Sequence, residues 1–175
     1  PNYFFGKWLH EQITIKNRIS ALYELKTISS YTESLLTNFF PEIDMGLWNF
    51  ESIKWGIIDA LEELNSFKES FPLSNWINKY LDNKKTIDGD IYNLTKKITN
   101  NFIDYLIFRP EMIADWNRYE INSPNLFKNL NSDQLWQPIL YKLLEKKISE
   151  KPSCLYMIEL IKNLRKFKYS QIKIT

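Results

Sequence analysis

From Ile91 to Leu106, apolar side chains recur at three- and four-residue intervals: Ile91, Leu94, Ile98, Phe102, Tyr105 and Leu106. That period puts them on one face of an α-helix of about five turns. Asp88 supplies an N-cap. Arg109 precedes Pro110, and the proline ring drives its predecessor out of the helical region, so the helix stops near Phe108. Pro110, which has no N–H to satisfy, opens a second helix over 110–118 with Met112, Ile113 and Trp116 facing inward. A one-sided helix of this length needs a partner surface. Only 4 Gly and 7 Pro in 175 residues are too few for the tight turns of an all-β barrel or sandwich, so the partners are helices.

The flanking sequence agrees. Phe4 to Lys16 reads as a helix with Phe4, Trp8, Leu9, Gln12 and Ile13 on one face, and Arg18–Leu25 alternates like a strand. Ser29 or Ser30 caps a helix that runs through Phe40 and ends at Pro41. Leu47–Leu64 carries an apolar stripe of Trp48, Ile53, Ile57, Ile58, Leu61 and Leu64. Ser74 caps a short helix that buries Trp76, Ile77 and Tyr80, and residues 82–89 form a polar loop. After a loop over Ile121–Asn131, Asn131 and Gln134 make a capping box. A helix continues through Trp136, Ile139, Leu140, Leu143, Leu144 and Ile148, with Pro138 either kinking it or marking its true start. Ser153 caps a last helix to about Phe167, and Gln171–Thr175 alternates like the start of a strand. The predicted fold class is therefore mainly α, a bundle of seven or eight helices with short strand remnants near the ends. This layout suits a helical insertion whose ends return to a parent α/β domain.

Composition excludes several function classes. A single cysteine, Cys154, cannot form an intramolecular disulfide and fits a reducing compartment. A single histidine, His10, excludes a multi-histidine metal site. No apolar run reaches the ~18 residues of a membrane span, and the N-terminus has no signal-peptide pattern. It has no initiator Met either, and the chain is expected to be a piece of something larger. The net charge of +2 is no nucleic-acid signature, but it is unevenly spread: from Lys142 onward nine basic residues face three acidic ones. A solvated helix face explains that excess, with a phosphate-facing surface as the alternative.

Catalytic patterns are missing. There is no phosphate-binding loop of the GxxxxGK[ST] type and no GxGxxG. A Ser/Cys–His pair would have to use His10, which reads better as a satisfied helix residue, and Cys154 reads as an inert near-core thiol. Glu62-Glu63 and Asp88/Asp90 are explained by solvation and capping. No acid cluster with a lysine in a strand context, as metal-dependent nucleases need, is visible. No catalytic, metal or cofactor residue is assigned.

The segment Tyr92–Trp116, YNLTKKITNNFIDYLIFRPEMIADW, resembles the N-terminal region of the RecC family, the gamma subunit of exodeoxyribonuclease V. In that family a helix ends in a Tyr-Leu-x-aromatic-Arg-Pro signature followed by a Trp-containing helix. Here the matching residues are Tyr105, Leu106, Phe108, Arg109, Pro110 and Trp116. Three further matches keep their order. Trp136-Gln137 with Leu140 and Lys142 is similar to the family's WQxxLWKAL, with Tyr141 in place of its second Trp. Lys7-Trp8-Leu9 is similar to its QWL, and Phe40-Pro41-Glu42-Ile43 to its LPEI; Ser52 and Trp55 fit the helix that follows.

The resemblance implies a degenerate superfamily 1 helicase domain. Residues 1–43 would be a remnant of domain 1A, 44–168 the helical 1B-type insertion, and 169–175 the strand returning to the parent domain. It implies a non-catalytic part of a helicase–nuclease for double-strand-break repair and recombination. That part would hold RecB and RecD, channel the 3′-ended single strand and scan it for Chi, while ATP and Mg are used through other subunits of a bacterial cytoplasmic complex. Positions aligned with the family's reading site are Asn100, Asn101, Ile103, Asp104 and Arg109, of which Asn100, Asn101, Asp104 and Arg109 are the expected DNA-binding residues. Arg109 keeps the family's residue, whereas Ile103 replaces an acidic group. Lys7, Thr27 and Glu33 stand where Chi-reading members have glutamine, leucine and tryptophan, so a changed or absent recognition sequence is expected. Taken without the resemblance, Arg109 could instead pair with Asp115, and Tyr105, Phe108, Trp116 and Trp136 read as core rather than as stacking residues. The competing function is a purely structural helical protein–protein interaction module.

Overall fold

The structure is a computed structural model that describes residues 3–18 and 27–166. The chain divides into two units, Pro1–Glu42 and Ile43–Thr175. All regular structure among the described residues is helical. The strand expected over Arg18–Leu25 lies, apart from Arg18, outside the described residues, as does the one expected over Gln171–Thr175.

The first unit contains α1 (Tyr3–Asn17) and α2 (Ile28–Phe39). The cap of α2 is Thr27 rather than Ser29 or Ser30: its backbone is extended and its Oγ1 accepts from Ser30 N at 3.0 Å. The serines instead fall in the first turn. A cap must have extended backbone, so the first hydroxyl residue to adopt it takes the role. Phe4 and Trp8, two of the residues read on one face of α1, are exposed.

The second unit is built on α3 (Phe50–Leu64). It starts later than the apolar stripe from Leu47 predicts, because Asp44 and Asn49 hold the preceding chain in a turn. Asp44 Oδ1 accepts from Gly46 N at 2.9 Å, Asn49 Nδ2 donates to Gly46 O at 2.6 Å, and Asn49 Oδ1 caps Ser52 N at 2.9 Å. A 3-10 stretch, Lys68–Leu73, leads into α4 (Ser74–Asp82). Ser74 is thus the first residue of α4 and not its cap. Ile77 and Tyr80 are buried as expected, but Trp76 is more than one-third exposed.

α5 (Gly89–Phe108) has the predicted limits, with Asp88 Oδ1 accepting from Asp90 N at 3.0 Å and Ile91 N at 2.9 Å. α6 (Pro110–Asn117) follows with proline in its first turn. The loop after it contains Leu126, buried although nothing in its polar surroundings predicts that, and the Asn131/Gln134 capping box is formed. In α7 (Trp136–Ile148), Pro138 marks the start: it sits in the first turn, where its missing donor costs nothing. α8 (Ser153–Lys166) begins at Ser153 itself.

α3 packs against both α5 and α7, and α6 packs against α5, α7 and α8. The core is formed by Ile53, Ile57, Leu61 and Leu64 of α3 with Ile91, Ile98 and Phe102 of α5 and Ile139, Leu140 and Leu143 of α7. α3 and α7 approach closely at Gly56, where an added Cβ would lie 2.8 Å from Leu144 Cδ2. A run of aromatic rings ties the elements together. Trp48 stacks on Tyr141 at 5.7 Å, Tyr141 meets Trp116 at 5.9 Å, and Trp116 meets Tyr105 edge-on at 6.1 Å and Phe102 at 6.5 Å. The Trp48 indole also donates to Glu150 O at 2.7 Å.

Candidate nucleic-acid-facing surface

Because α5 buries one face against α3 and α6, its opposite face is solvent. Asn93, Lys96, Lys97, Asn100, Asn101 and Asp104 are all exposed there. Asn100 and Asp104 are four residues apart and Asn101 and Asp104 three, so the three polar groups are neighbours on one surface. Arg109 lies just beyond, at the junction of α5 and α6. Its backbone (φ −136°, ψ 46°) is held from both sides: its N–H donates to Tyr105 O at 2.9 Å, and its carbonyl accepts from Met112 N at 3.0 Å and Ile113 N at 3.3 Å. The Arg109 side chain is exposed and makes no ion pair among the described residues; Asp115 pairs with Arg118 instead, at 3.8 Å. A guanidinium on an anchored backbone, with no side-chain hydrogen bond among the described residues, suits phosphate or a base edge.

Ile103 does not join this surface. It is partly buried against the core, so this position serves packing here. Lys7, Thr27 and Glu33 lie in the first unit. Among the four aromatics read as core, Trp116 and Trp136 are buried and Tyr105 packs against the core. Phe108 departs from that reading. It is 71% exposed and its neighbour Ile107 61%, because both fall on the solvent side of α5, Phe108 four residues after Asp104 and Ile107 seven after Asn100.

Sequence reasoning passed over Lys96 and Lys97, although they stand four residues before Asn100 and Asn101, the spacing that puts side chains on one helical row. It also passed over Lys54. That residue shares the buried side of α3 with Ile57, Ile58 and Leu61 and is only 6% exposed. The Lys54 ammonium pairs with Glu51 at 2.6 Å and faces three rings: Trp55 at 5.3 Å, Phe50 at 5.5 Å and Tyr92 at 5.6 Å.

The C-terminal basic excess is partly neutralised within the fold. Lys142 pairs with Glu145 at 2.7 Å and Lys146 with Glu63 at 3.4 Å, in a cleft of about 390 Å³ that Glu120 and Ile121 also line. Two of the lysines that suggested a phosphate-facing surface are therefore engaged with carboxylates. Burial pushes the Cys154 thiol up to about 11, which leaves it protonated and unreactive at neutral pH. Among the described residues no group of three or more His, Cys, Asp or Glu side chains is placed to hold a metal ion, and no helix is long and apolar enough to cross a membrane.

The family described as RecC, N-terminal domain, matches residues 2–172. The RecBCD enzyme subunit RecC of Escherichia coli (strain K12) is 24% identical over 140 residues, which are 79% of this chain and 12% of the relative. The chain thus spans only a small part of that relative's length. No solved structure matches it. A family match that runs over nearly the full chain establishes that this chain belongs to the RecC N-terminal domain family.

Proposed function

We propose that the chain is a non-catalytic part of a RecC-type subunit in an exodeoxyribonuclease V complex of the RecBCD kind, acting in double-strand-break repair and homologous recombination. Residues 44–168 serve as its 1B-type helical insertion, following a 1A remnant over 1–43 and preceding the segment 169–175 that leads back to the parent domain. RecB and RecD are the protein partners, ATP and Mg being used by other subunits in a bacterial cytoplasm. The exposed side of α5 lines the path of the 3′-ended single strand, with Asn100, Asn101, Asp104 and Arg109 towards the nucleic acid. The family match supports the setting. The observation that carries the surface is Arg109: anchored through its backbone, exposed, and without an ion pair among the described residues. The core-facing Ile103 supports a recognition sequence that differs from Chi or is absent.

The test is binding of single-stranded oligonucleotides to the chain over a range of salt. Binding should weaken steeply as salt rises, since counterions are released from the phosphates. Arg109→Ala should weaken it about tenfold and lower the salt slope by about one. An unchanged slope and affinity in Arg109→Ala would remove the assignment. The exposed pair Ile107 and Phe108 favours a second reading, a structural module that docks another protein through an apolar patch. Absence of any low-salt binding to single strands would favour that module.

A further inference from the structure

The solvent face of α5 does not end at Asn100. Tyr92, Lys96 and Asn100 follow one another at four-residue spacing, a row that advances about 6 Å per step along the helix. At its N-terminal end Tyr92 meets α3, where it shares the Lys54 ammonium with Trp55. Both rings remain open to solvent, Trp55 at 51% and Tyr92 at 44%. A lone exposed Trp is ordinary, but here two rings from different helices are set around one nearly buried cation. The centroid distances of 5.3 and 5.6 Å fix both rings relative to Lys54 before any ligand arrives. Ordering that is complete on folding need not be supplied on binding.

We propose that Trp55 and Tyr92 form a base-stacking platform for single-stranded nucleic acid, continuous with the α5 surface, with Lys96 and Lys97 meeting the adjoining phosphates. Charge selects this occupant. Glu51 is already matched by Lys54 at 2.6 Å, while Lys96 and Lys97 are exposed and make no ion pair among the described residues, so both ammonium groups are available to phosphate. Exposed aromatic rings beside lysines that make no ion pair among the described residues suit a single strand, since every base offers a π-face whatever its identity. The Lys54 ammonium is too deeply buried to reach a phosphate and acts as a pin that positions the rings. The inference rests on the strand-facing reading of α5 and extends it by a base-contacting element that tolerates any sequence.

The experiment uses the 175-residue chain with a fluorescein-labelled oligo(dT) at low salt, read by anisotropy. Trp55→Ala and Tyr92→Ala should each weaken binding about tenfold with an unchanged salt slope, because a stacking contact and no phosphate contact is lost. Lys96→Ala and Lys97→Ala should each lower the slope by about one. Trp55→Phe should keep most of the affinity, which separates stacking from a fold defect. A photo-crosslink from an iododeoxyuridine oligonucleotide to the unaltered chain should map to Trp55 or Tyr92. Arg109→Ala is the internal reference. If it weakens binding while Trp55→Ala and Tyr92→Ala do not, and the crosslink maps elsewhere, the platform is wrong and the strand-facing reading survives. If the aromatic variants weaken binding and Arg109→Ala does not, the platform stands and the Arg109 assignment falls. If the unaltered chain binds no oligo(dT), both are overturned.

Discussion

Asp88 shows how one side chain sets the start of the central helix. Its carboxylate accepts from the Ile91 and Asp90 backbone N–H groups and pairs with Lys79 at 2.9 Å. The Ile91 hydrogen bond above all, then Lys79, holds the carboxyl below the usual carboxylate range. A folded-state value lower than the unfolded one means stabilisation that is fully present above the usual carboxylate range and is lost as pH falls through the depressed value. Amide protection factors at Asp90 and Ile91, taken relative to the intrinsic exchange rate at each pH, should therefore fall on acidification below that range. Asp88→Asn, which caps without titrating, should abolish the acid-dependent step while keeping the helix start. A step of the same size in Asp88→Asn would show that another group carries it. Lys79 is shifted oppositely, raised first by its hydrogen bond to Asp90, so its contribution holds at neutral pH and fades only above the usual lysine range. The Asp88 cap was legible from residue type, as was the proline stop at Arg109. The caps assigned to Ser29 or Ser30 and to Ser74 were not, because a serine's role depends on whether the preceding backbone has already turned helical.

Among the elements, the contact between α3 and α7 depends most on a single position. Gly56 carries no Cβ, and one placed there would meet Leu144 Cδ2 at 2.8 Å. Leu144 is fully buried, so its methyl has nowhere to go. Alanine gains about 1 kcal/mol of helix propensity over glycine, whereas overpacking a filled core costs about 1–3 kcal/mol. Gly56→Ala should therefore destabilise the chain by about 1 kcal/mol in urea unfolding. In the double variant with Leu144→Ala the two effects should fall short of additivity by about 1 kcal/mol or more, since the smaller side chain relieves the clash. A stabilised Gly56→Ala would mean that α7 shifts readily, and that the core is looser than its burial indicates. Periodicity located both helices, but it says nothing about which faces meet or how closely.

Across the second unit, exposure separates aromatics that sequence treats alike. Trp116, in contact with Phe102, Tyr105 and Tyr141, is buried. Trp116→Ala should cost about 3–5 kcal/mol in urea unfolding. Phe108 is exposed, and Phe108→Ala should stay within about 0.5 kcal/mol of the unaltered chain. A large loss for Phe108→Ala would show that its ring is covered in solution. The same division applies to charge. Of the basic residues crowded from Lys142 onward, Lys142 and Lys146 are matched by Glu145 and Glu63, while Lys96 and Lys97, unnoticed in sequence, are left to solvent.

By itself the sequence determined the mainly helical class, the limits of α5 and the proline break after it, and the family. Each of these is written in local order: apolar spacing, a capping carboxylate, an Arg-Pro step and an ordered set of motifs. Only the tertiary structure decided which side chains those helices leave in water. It buried Lys54 and turned Ile103 towards the core, exposed Phe108, and brought Trp55 of α3 and Tyr92 of α5 to one ammonium. The physical reason is that burial depends on contacts between residues far apart in the chain. Trp55 and Tyr92 have the whole of α4 between them in sequence, and no local pattern encodes their meeting.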